Sequence, residues 1–208
     1  MSTFYLVVST YVALYLAIWM HEAGHALAYW RFGCKENFWK LRVPLYLFGS
    51  SPAPVNEACA TRLNPSQQLI VAASGVVVNC LFGAFALLIV LSIDSLVAIP
   101  FVYVFLYLFS LCHLLEAGSY LVINSLFLGG DMTLIVEHAP RARWLVFGVA
   151  ALILLPAIAL LIHEAPRIGH VLFSTDAVGS TWQLGVSVFS GFIMIAMGIA
   201  RVLFTVDD

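Results

Sequence analysis

Long apolar runs without charged residues dominate this sequence and restrict what it can fold into. A helix needs about 20 consecutive apolar residues to cross the roughly 30 Å hydrocarbon core of a bilayer. Five stretches reach this length, and we assign transmembrane spans to about residues 4–30, 66–91, 99–128, 144–163 and 182–204. The runs are continuous and lack the polar–apolar alternation of membrane barrel strands. We therefore predict an all-α integral membrane protein with five transmembrane helices.

The scarcity of charge excludes a soluble globular fold. Only 10% of the residues are charged and 62% are hydrophobic, whereas a soluble domain has about 25% charged and 45–50% apolar residues. So few charges cannot cover a water-facing surface. The net charge of -2 gives no sign of a nucleic-acid partner. We expect the lipid bilayer to be the surroundings of this chain.

The basic residues favour one orientation in the membrane. In a five-span topology, eight of the nine Lys and Arg residues fall on one side. These eight are Arg31, Lys35, Lys40, Arg42, Arg62, Arg141, Arg143 and Arg201, and Arg167 lies opposite. Cytoplasmic loops carry such an excess. We expect a multi-pass protein with its N-terminus outside and its C-terminus in the cytoplasm, in the plasma membrane of a prokaryote.

The four cysteines form no metal-binding pattern. Cys80 and Cys112 lie within spans, while Cys34 and Cys59 lie in the first predicted cytoplasmic loop. Thiols remain reduced in the cytoplasm. We therefore expect four free cysteines and no disulfide.

The first span carries the sequence HEAGH at residues 21–25. Residues four apart lie on one face of a helix, so His21 and His25 can both direct an imidazole nitrogen at one metal ion. Glu22 lies about 100° around the helix from His21, where its carboxylate can act on a water molecule without being a ligand. By chance, a chain of this composition contains HExxH only about 0.005 times. The motif predicts a zinc hydrolase site with Glu22 as the general base.

Catalytic zinc takes a third protein ligand, and two acids compete for that position. Asp131 follows the third span, which runs in the same direction as the first and returns to the side where His21 and His25 are expected. Glu116 forms an i, i+3 pair with His113 about 22 Å from Asp131 along a continuous helix. We expect Glu116 to lie deeper than His21 by most of the bilayer, and we favour Asp131. His113 and Glu116 then form a polar pair facing the bundle interior, or line a path for water or substrate.

Three segments together resemble the site-2 protease family of intramembrane zinc metalloproteases. They are HEAGHALA from His21, Gly75 to Asn79 in the second span, and Asn124 to Asp131 at the end of the third. The resemblance covers a core at residues 1–135 with three catalytic helices, and leaves two additional helices in residues 136–208. The third segment departs from the family pattern, because Phe127 and Met132 stand where proline and glycine usually fix the turn.

The resemblance implies roles for individual residues. It implies that His21, His25 and Asp131 hold zinc and that Glu22 is catalytic. We expect on this basis a zinc-dependent endopeptidase that cleaves a membrane-spanning or membrane-proximal protein substrate near the cytoplasmic face.

Asn79 and Asn124 also take their expected roles from the resemblance. It implies that their amides hold the backbone of the substrate. An amide in a membrane span needs a hydrogen-bond partner, so an interhelical hydrogen bond from each asparagine is the alternative.

The loop at residues 31–65 alternates apolar with basic residues and then becomes apolar before Gly49. We predict a short strand or hairpin at the membrane interface, with Lys40 and Arg42 near anionic headgroups. A loop that merely lies on the membrane is the alternative. The family resemblance implies an extended segment beside the active site that pairs with a substrate strand by edge addition.

Two other functions are compatible with the sequence. A catalytically inactive, zinc-binding membrane regulator is favoured by the altered third segment. A metal transporter would use as its path His21, Glu22, His25, His113 and Glu116.

Overall fold

The computed structural model describes residues 3–47, 49–127, 131–138 and 140–173. Most of them are helical, and the helices are α1 (Thr3–Arg31), α2 (Glu57–Ala60), α3 (Pro65–Ser92), α4 (Pro100–Phe127), α5 (Asp131–His138) and α6 (Ala142–Phe173). A 3-10 turn at Asp94–Ala98 connects α3 to α4. No β-strand occurs in these described residues. The predicted all-α class is confirmed for this part of the chain.

Three of the described helices, α1, α3 and α4, are long and apolar enough to cross a membrane. They coincide with the first three predicted spans. The predicted fourth span, residues 144–163, lies inside α6, whose described apolar stretch Ala142–Leu152 is shorter. A crossing by α6 therefore stays a prediction. The fifth predicted span, residues 182–204, lies outside the described residues.

Capping residues determine where α3 begins. The side chain of Asn64 accepts a hydrogen bond from the backbone N–H of Gln67 at 3.0 Å, and the side chain of Gln67 accepts one from the backbone N–H of Asn64 at 3.0 Å. Pro65 occupies the first helical turn, where no N–H is needed. Proline also begins α4, at Pro100.

The central helix of the bundle is α4, which packs against α1, α3 and α6. The apolar core lies toward the end of the bundle where α3 ends and α4 begins, and includes Leu87, Val90, Tyr103, Val104 and Leu161.

Helix α1 approaches α3 closely at Gly24, where an added Cβ would lie 2.7 Å from the carbonyl oxygen of Ser74. Small residues permit such close approach between membrane helices. This contact brings the HExxH turn of α1 against α3.

The loop between α1 and α3 folds back along α1, and its position at the membrane interface stays a prediction. Its contacts with α1 include a ring stack of Trp39 on Trp19 at 5.6 Å, a hydrogen bond from the Tyr15 hydroxyl to the Val43 carbonyl at 3.2 Å, and one from the Tyr11 hydroxyl to the Leu45 carbonyl. Tyr11 precedes the end of α1 at Arg31 by 20 residues, or about 30 Å. The tyrosine hydroxyls give the loop carbonyls hydrogen-bond donors, so the loop can lie against the helix.

A single antiparallel bridge closes this loop into a hairpin. Arg42 N–H donates to the Ser51 carbonyl at 3.2 Å, and Ser51 N–H donates to the Arg42 carbonyl at 2.9 Å. The ammonium of the buried Lys35 donates to the carbonyls of Lys40, Pro52 and Pro54. Burial, and to a smaller extent the charge of Lys40, lowers the pKa of Lys35, while the three carbonyls stabilise its protonated form. The predicted hairpin is present as this bridge, without a strand.

Cys34 and Cys59 form a disulfide, which corrects the expectation of free thiols in this loop. Asn56 N–H donates to the Cys34 carbonyl at 2.8 Å, and its side chain caps the short helix α2 that carries Cys59. These contacts bring the two Cα atoms to 5.2 Å. The pairing depends on the fold of the hairpin between them, which the cysteine spacing does not reveal. Cys80 and Cys112 are free, as expected.

Candidate metal centre

The two histidines of the HExxH motif converge on one point between α1 and α3. His21 and His25 are buried, with 5% and 6% of their surfaces exposed. Their Nε2 atoms are 3.0 Å apart. Two imidazole nitrogens bound to one tetrahedral zinc ion stand about 3.3 Å apart. The rings are therefore arranged as the i, i+4 spacing predicts, and a small increase in the distance between the two nitrogens is enough to fit a cation.

The backbone of α3 holds His25 in place. Nδ1 of His25 lies 2.7 Å from the carbonyl oxygen of Val71. Because a carbonyl can only accept, Nδ1–H of His25 is the donor. In the neutral ring, Nε2 then carries the lone pair and faces His21. Histidines that bind metals are commonly oriented by a hydrogen bond from the other ring nitrogen in this way.

Gly75 keeps open the space in front of both imidazoles. A Cβ added to Gly75 would lie 2.5 Å from Nε2 of His25 and 2.7 Å from Nε2 of His21. A side chain at this position would push the two rings away from their common point. The sequence offers the glycine itself as a signal, but only the packing of α1 on α3 shows what the glycine faces.

Asn79 and His113 extend the site across the bundle to α4. The Asn79 side chain contacts His21, with Nδ2 at 3.4 Å from Nδ1 of His21, and its Oδ1 lies 2.9 Å from Nδ1 of His113. Asn79 thus makes the interhelical hydrogen bonds that were the alternative to substrate binding, and it is 0% exposed. Sequence reasoning paired His113 with Glu116 and missed its link to His21.

Glu116 lies at the depth of the histidine pair, which corrects the expectation that it is far deeper. Ten residues of α1, about 15 Å, follow His21 before the helix ends at Arg31. Eleven residues of α4, about 16 Å, follow Glu116 before the end at Phe127, and Tyr120, one turn after Glu116, has its ring 5.1 Å from that of His21. The expectation failed because it measured the depth of Glu116 from Asp131 along one continuous helix, whereas α4 ends at Phe127 and Asp131 begins α5. Still, no set of three His, Cys, Asp or Glu side chains able to hold a metal occurs among those the structure describes.

Asp131 is the first residue of α5, a helix that packs against α3 and α4. The structure does not describe its side chain. Its role as third ligand therefore stays a prediction. Glu22 follows His21 in the same turn and is partly buried.

One face of α4 borders the histidines. The ring of Tyr120 lies 5.1 Å from that of His21, a neighbour that sequence reasoning missed. Asn124 follows Tyr120 by one helical turn and is buried. Residues four apart share a helix face, so Asn124 lies on the stripe of α4 that includes Tyr120.

Comparison with known proteins adds nothing to these contacts, because no protein-family model, curated protein or solved structure matches this chain. The likeness to site-2 proteases depends on the three sequence segments alone.

Proposed function

We propose that this protein is a zinc-dependent intramembrane endopeptidase. The observation that carries the proposal is the convergence of the His21 and His25 Nε2 atoms, 3.0 Å apart and facing Gly75. Ionisable side chains inside membrane helices are costly and are usually functional. Two buried imidazoles that face each other at this distance fit a shared cation better than they fit a packing role.

The residues present suit a zinc site of the catalytic kind. His21 and His25 supply two nitrogen ligands, and Asp131 is the proposed third, which leaves a position open for substrate. When bound, zinc would polarise the scissile carbonyl and make water acidic enough to attack it near neutral pH. The Val71 carbonyl and Asn79 orient the two imidazoles for this task.

Glu22 moves the protons in the proposed reaction. Its carboxylate takes a proton from the attacking water and delivers it to the amine that leaves when the peptide bond breaks. The position next to His21 in one helical turn suits a group that acts beside the metal without binding it. Burial between helices limits competition from bulk water.

The hairpin and Asn124 are the proposed substrate-binding elements. Trp39 in the hairpin stacks on Trp19, two residues before His21. An extended substrate segment could add to the backbone of the hairpin, which would deliver its peptide bond beside the HExxH turn. A membrane-spanning helix must unwind before it can be cleaved, and strand addition offers its freed backbone groups new partners.

Replacement of Glu22 tests the mechanism. We expect Glu22→Gln to bind zinc like the wild type and to cleave a transmembrane substrate at least 1,000-fold more slowly, roughly the loss that follows removal of an essential proton-transfer group. Glu57→Gln is the matched control, because Glu57 is an exposed acid on the short helix α2, outside the hairpin closed by Arg42 and Ser51. Cleavage by purified Glu22→Gln at the wild-type rate would contradict the mechanism. Zinc bound without cleavage by the wild type would favour the inactive regulator.

Metal transport is the second candidate function, because His113 is joined to His21 through Asn79 across the bundle. This candidate predicts metal flux in liposomes that is lost in Glu116→Ala. The protease proposal predicts no such flux.

We propose the orientation that the basic residues favour, with the hairpin loop on the cytoplasmic side. The Cys34–Cys59 disulfide opposes it, because disulfides persist mainly in oxidising compartments. A chain with Cys34→Ser, Cys59→Ser and Glu36→Cys decides between them. We expect an impermeant maleimide to label position 36 only after the cells are permeabilised. Labelling of intact cells would place the loop outside.

A further inference from the structure

Asn79 connects three helices through its side-chain amide. It lies on α3, contacts His21 on α1 and accepts a hydrogen bond from His113 on α4. We propose that His113 is a positioning residue for the metal ligand His21 and acts on it through Asn79. This inference rests on the proposed zinc site. It gives the Asn79 amide the role of orienting His21, so Asn124 is the asparagine left to hold the substrate backbone.

The hydrogen bonds define the proton positions of the histidines without metal. His25 Nδ1–H donates to Val71, so His25 Nε2 accepts from Nε2–H of His21 at 3.0 Å. His21 Nδ1 then carries a lone pair and accepts from Nδ2–H of Asn79. The Asn79 Oδ1 in turn accepts from Nδ1–H of His113. Each of these rings is neutral and carries one proton.

Metal binding would reverse the donor and acceptor roles along these hydrogen bonds. If Nε2 of His21 bound the metal, the ring proton would have to lie on Nδ1 and would need an acceptor there. The Asn79 amide supplies one by turning over, so that Oδ1 faces His21 and Nδ2–H donates to Nδ1 of His113. The proton of His113 moves to its Nε2. The three side chains together gain and lose no proton, and water would carry the proton between the two nitrogens of each imidazole.

The surroundings of His113 suit this exchange. Its ring contacts those of Phe109 and Phe82, at centroid distances of 4.2 Å and 6.3 Å, while its Nδ1 faces Asn79. Nε2 of His113 has no hydrogen-bond partner among the described residues. No described acceptor meets that nitrogen, so without metal the Nδ1–H tautomer bound to Asn79 is favoured, and only a turn of the Asn79 amide would make Nε2–H the better form.

Zinc affinity of the purified full-length protein tests the proposal, measured by competition with a chromogenic chelator. His113→Asn keeps a polar atom at the level of Nδ1, whereas His113→Gln places its amide near the level of Nε2 and His113→Leu has neither. We expect zinc affinity to fall 10- to 100-fold in the Leu and Gln variants, the range seen when an outer partner of a metal ligand is removed. We expect His113→Asn to stay within about threefold of the wild type.

A second measurement needs no variant that must fold. In protein labelled with ¹⁵N-histidine, we expect the His113 signals to change from the Nδ1–H to the Nε2–H pattern when zinc is added. Wild-type affinity in His113→Leu, equal losses in the Asn and Gln variants, or an unchanged His113 tautomer would each overturn the role of His113. Zinc binding that also survives His21→Ala would overturn the proposed function instead.

Discussion

Two groups of polar side chains in the described part of this bundle are built differently. Near the start of α4, the Tyr103 hydroxyl donates to Glu164 at 3.1 Å, and Arg167 donates to Asp94 at 2.8 Å. Each acid there meets a donor. In the middle of the bundle, His21 and His25 instead turn chemically identical nitrogen atoms toward one another.

The difference separates a structural cluster from a candidate site. Hydrogen bonds between complementary groups join α6 to α4 and to the turn after α3, and need nothing else to be stable. Two imidazole nitrogens that face each other beside a glycine are stabilised more by a bound cation than by the single proton that they share. If this comparison is sound, substitutions in the middle region change metal binding, and substitutions near the start of α4 change stability alone.

Gly75→Ala is expected to have the largest effect. The new Cβ would lie within 2.7 Å of both Nε2 atoms, so at least one ring must move off the shared point. We expect zinc affinity to fall about 100-fold or more, which is about 2.7 kcal/mol. Gly148→Ala is the matched control, because a Cβ at Gly148 on α6 meets nothing within 4 Å. Unchanged zinc affinity in Gly75→Ala would contradict the proposal that the middle region, unlike the start of α4, binds metal.

Tyr103→Phe is expected to have an intermediate effect of a different kind. It removes the hydroxyl that donates to the buried Glu164, and loss of a hydrogen bond to a charged group costs about 1.5–3 kcal/mol. We expect a lower unfolding free energy in detergent with unchanged zinc affinity. Tyr46→Phe, at an exposed loop residue, should change neither. A fall in zinc affinity in Tyr103→Phe would mean that the two regions are coupled.

Tyr15→Phe is expected to have the smallest effect. It removes one hydrogen bond from α1 to the Val43 carbonyl in the hairpin, worth about 1 kcal/mol. We expect proteolysis of the hairpin to speed up about fivefold through local opening, with zinc affinity unchanged. The same rate in Tyr15→Phe and the wild type would show that the hairpin does not depend on α1 for its position.

Much of the helical framework is predictable from the sequence, since apolar length alone locates α1, α3 and α4. The i, i+4 spacing likewise predicts that His21 and His25 share a face. Both properties are local, because they follow from helix geometry within one segment.

The remaining features depend on how the segments are placed against one another. The predicted depth of Glu116 is wrong because it was measured from Asp131, which lies beyond the end of α4 at Phe127. The link from His21 to His113 through Asn79 requires the register of three helices, which no single run of residues contains. The disulfide and the return of the hairpin along α1 follow from contacts between distant residues for the same reason.

Metal analysis of the purified protein tests the central claim most directly. We predict about one zinc ion per chain in the wild type, bound in a tetrahedral site that includes His21 and His25. Zinc should be lost in His21→Ala and Asp131→Ala and retained in Glu116→Ala. A wild-type protein without zinc, or a His21→Ala variant that still binds it, would contradict the account.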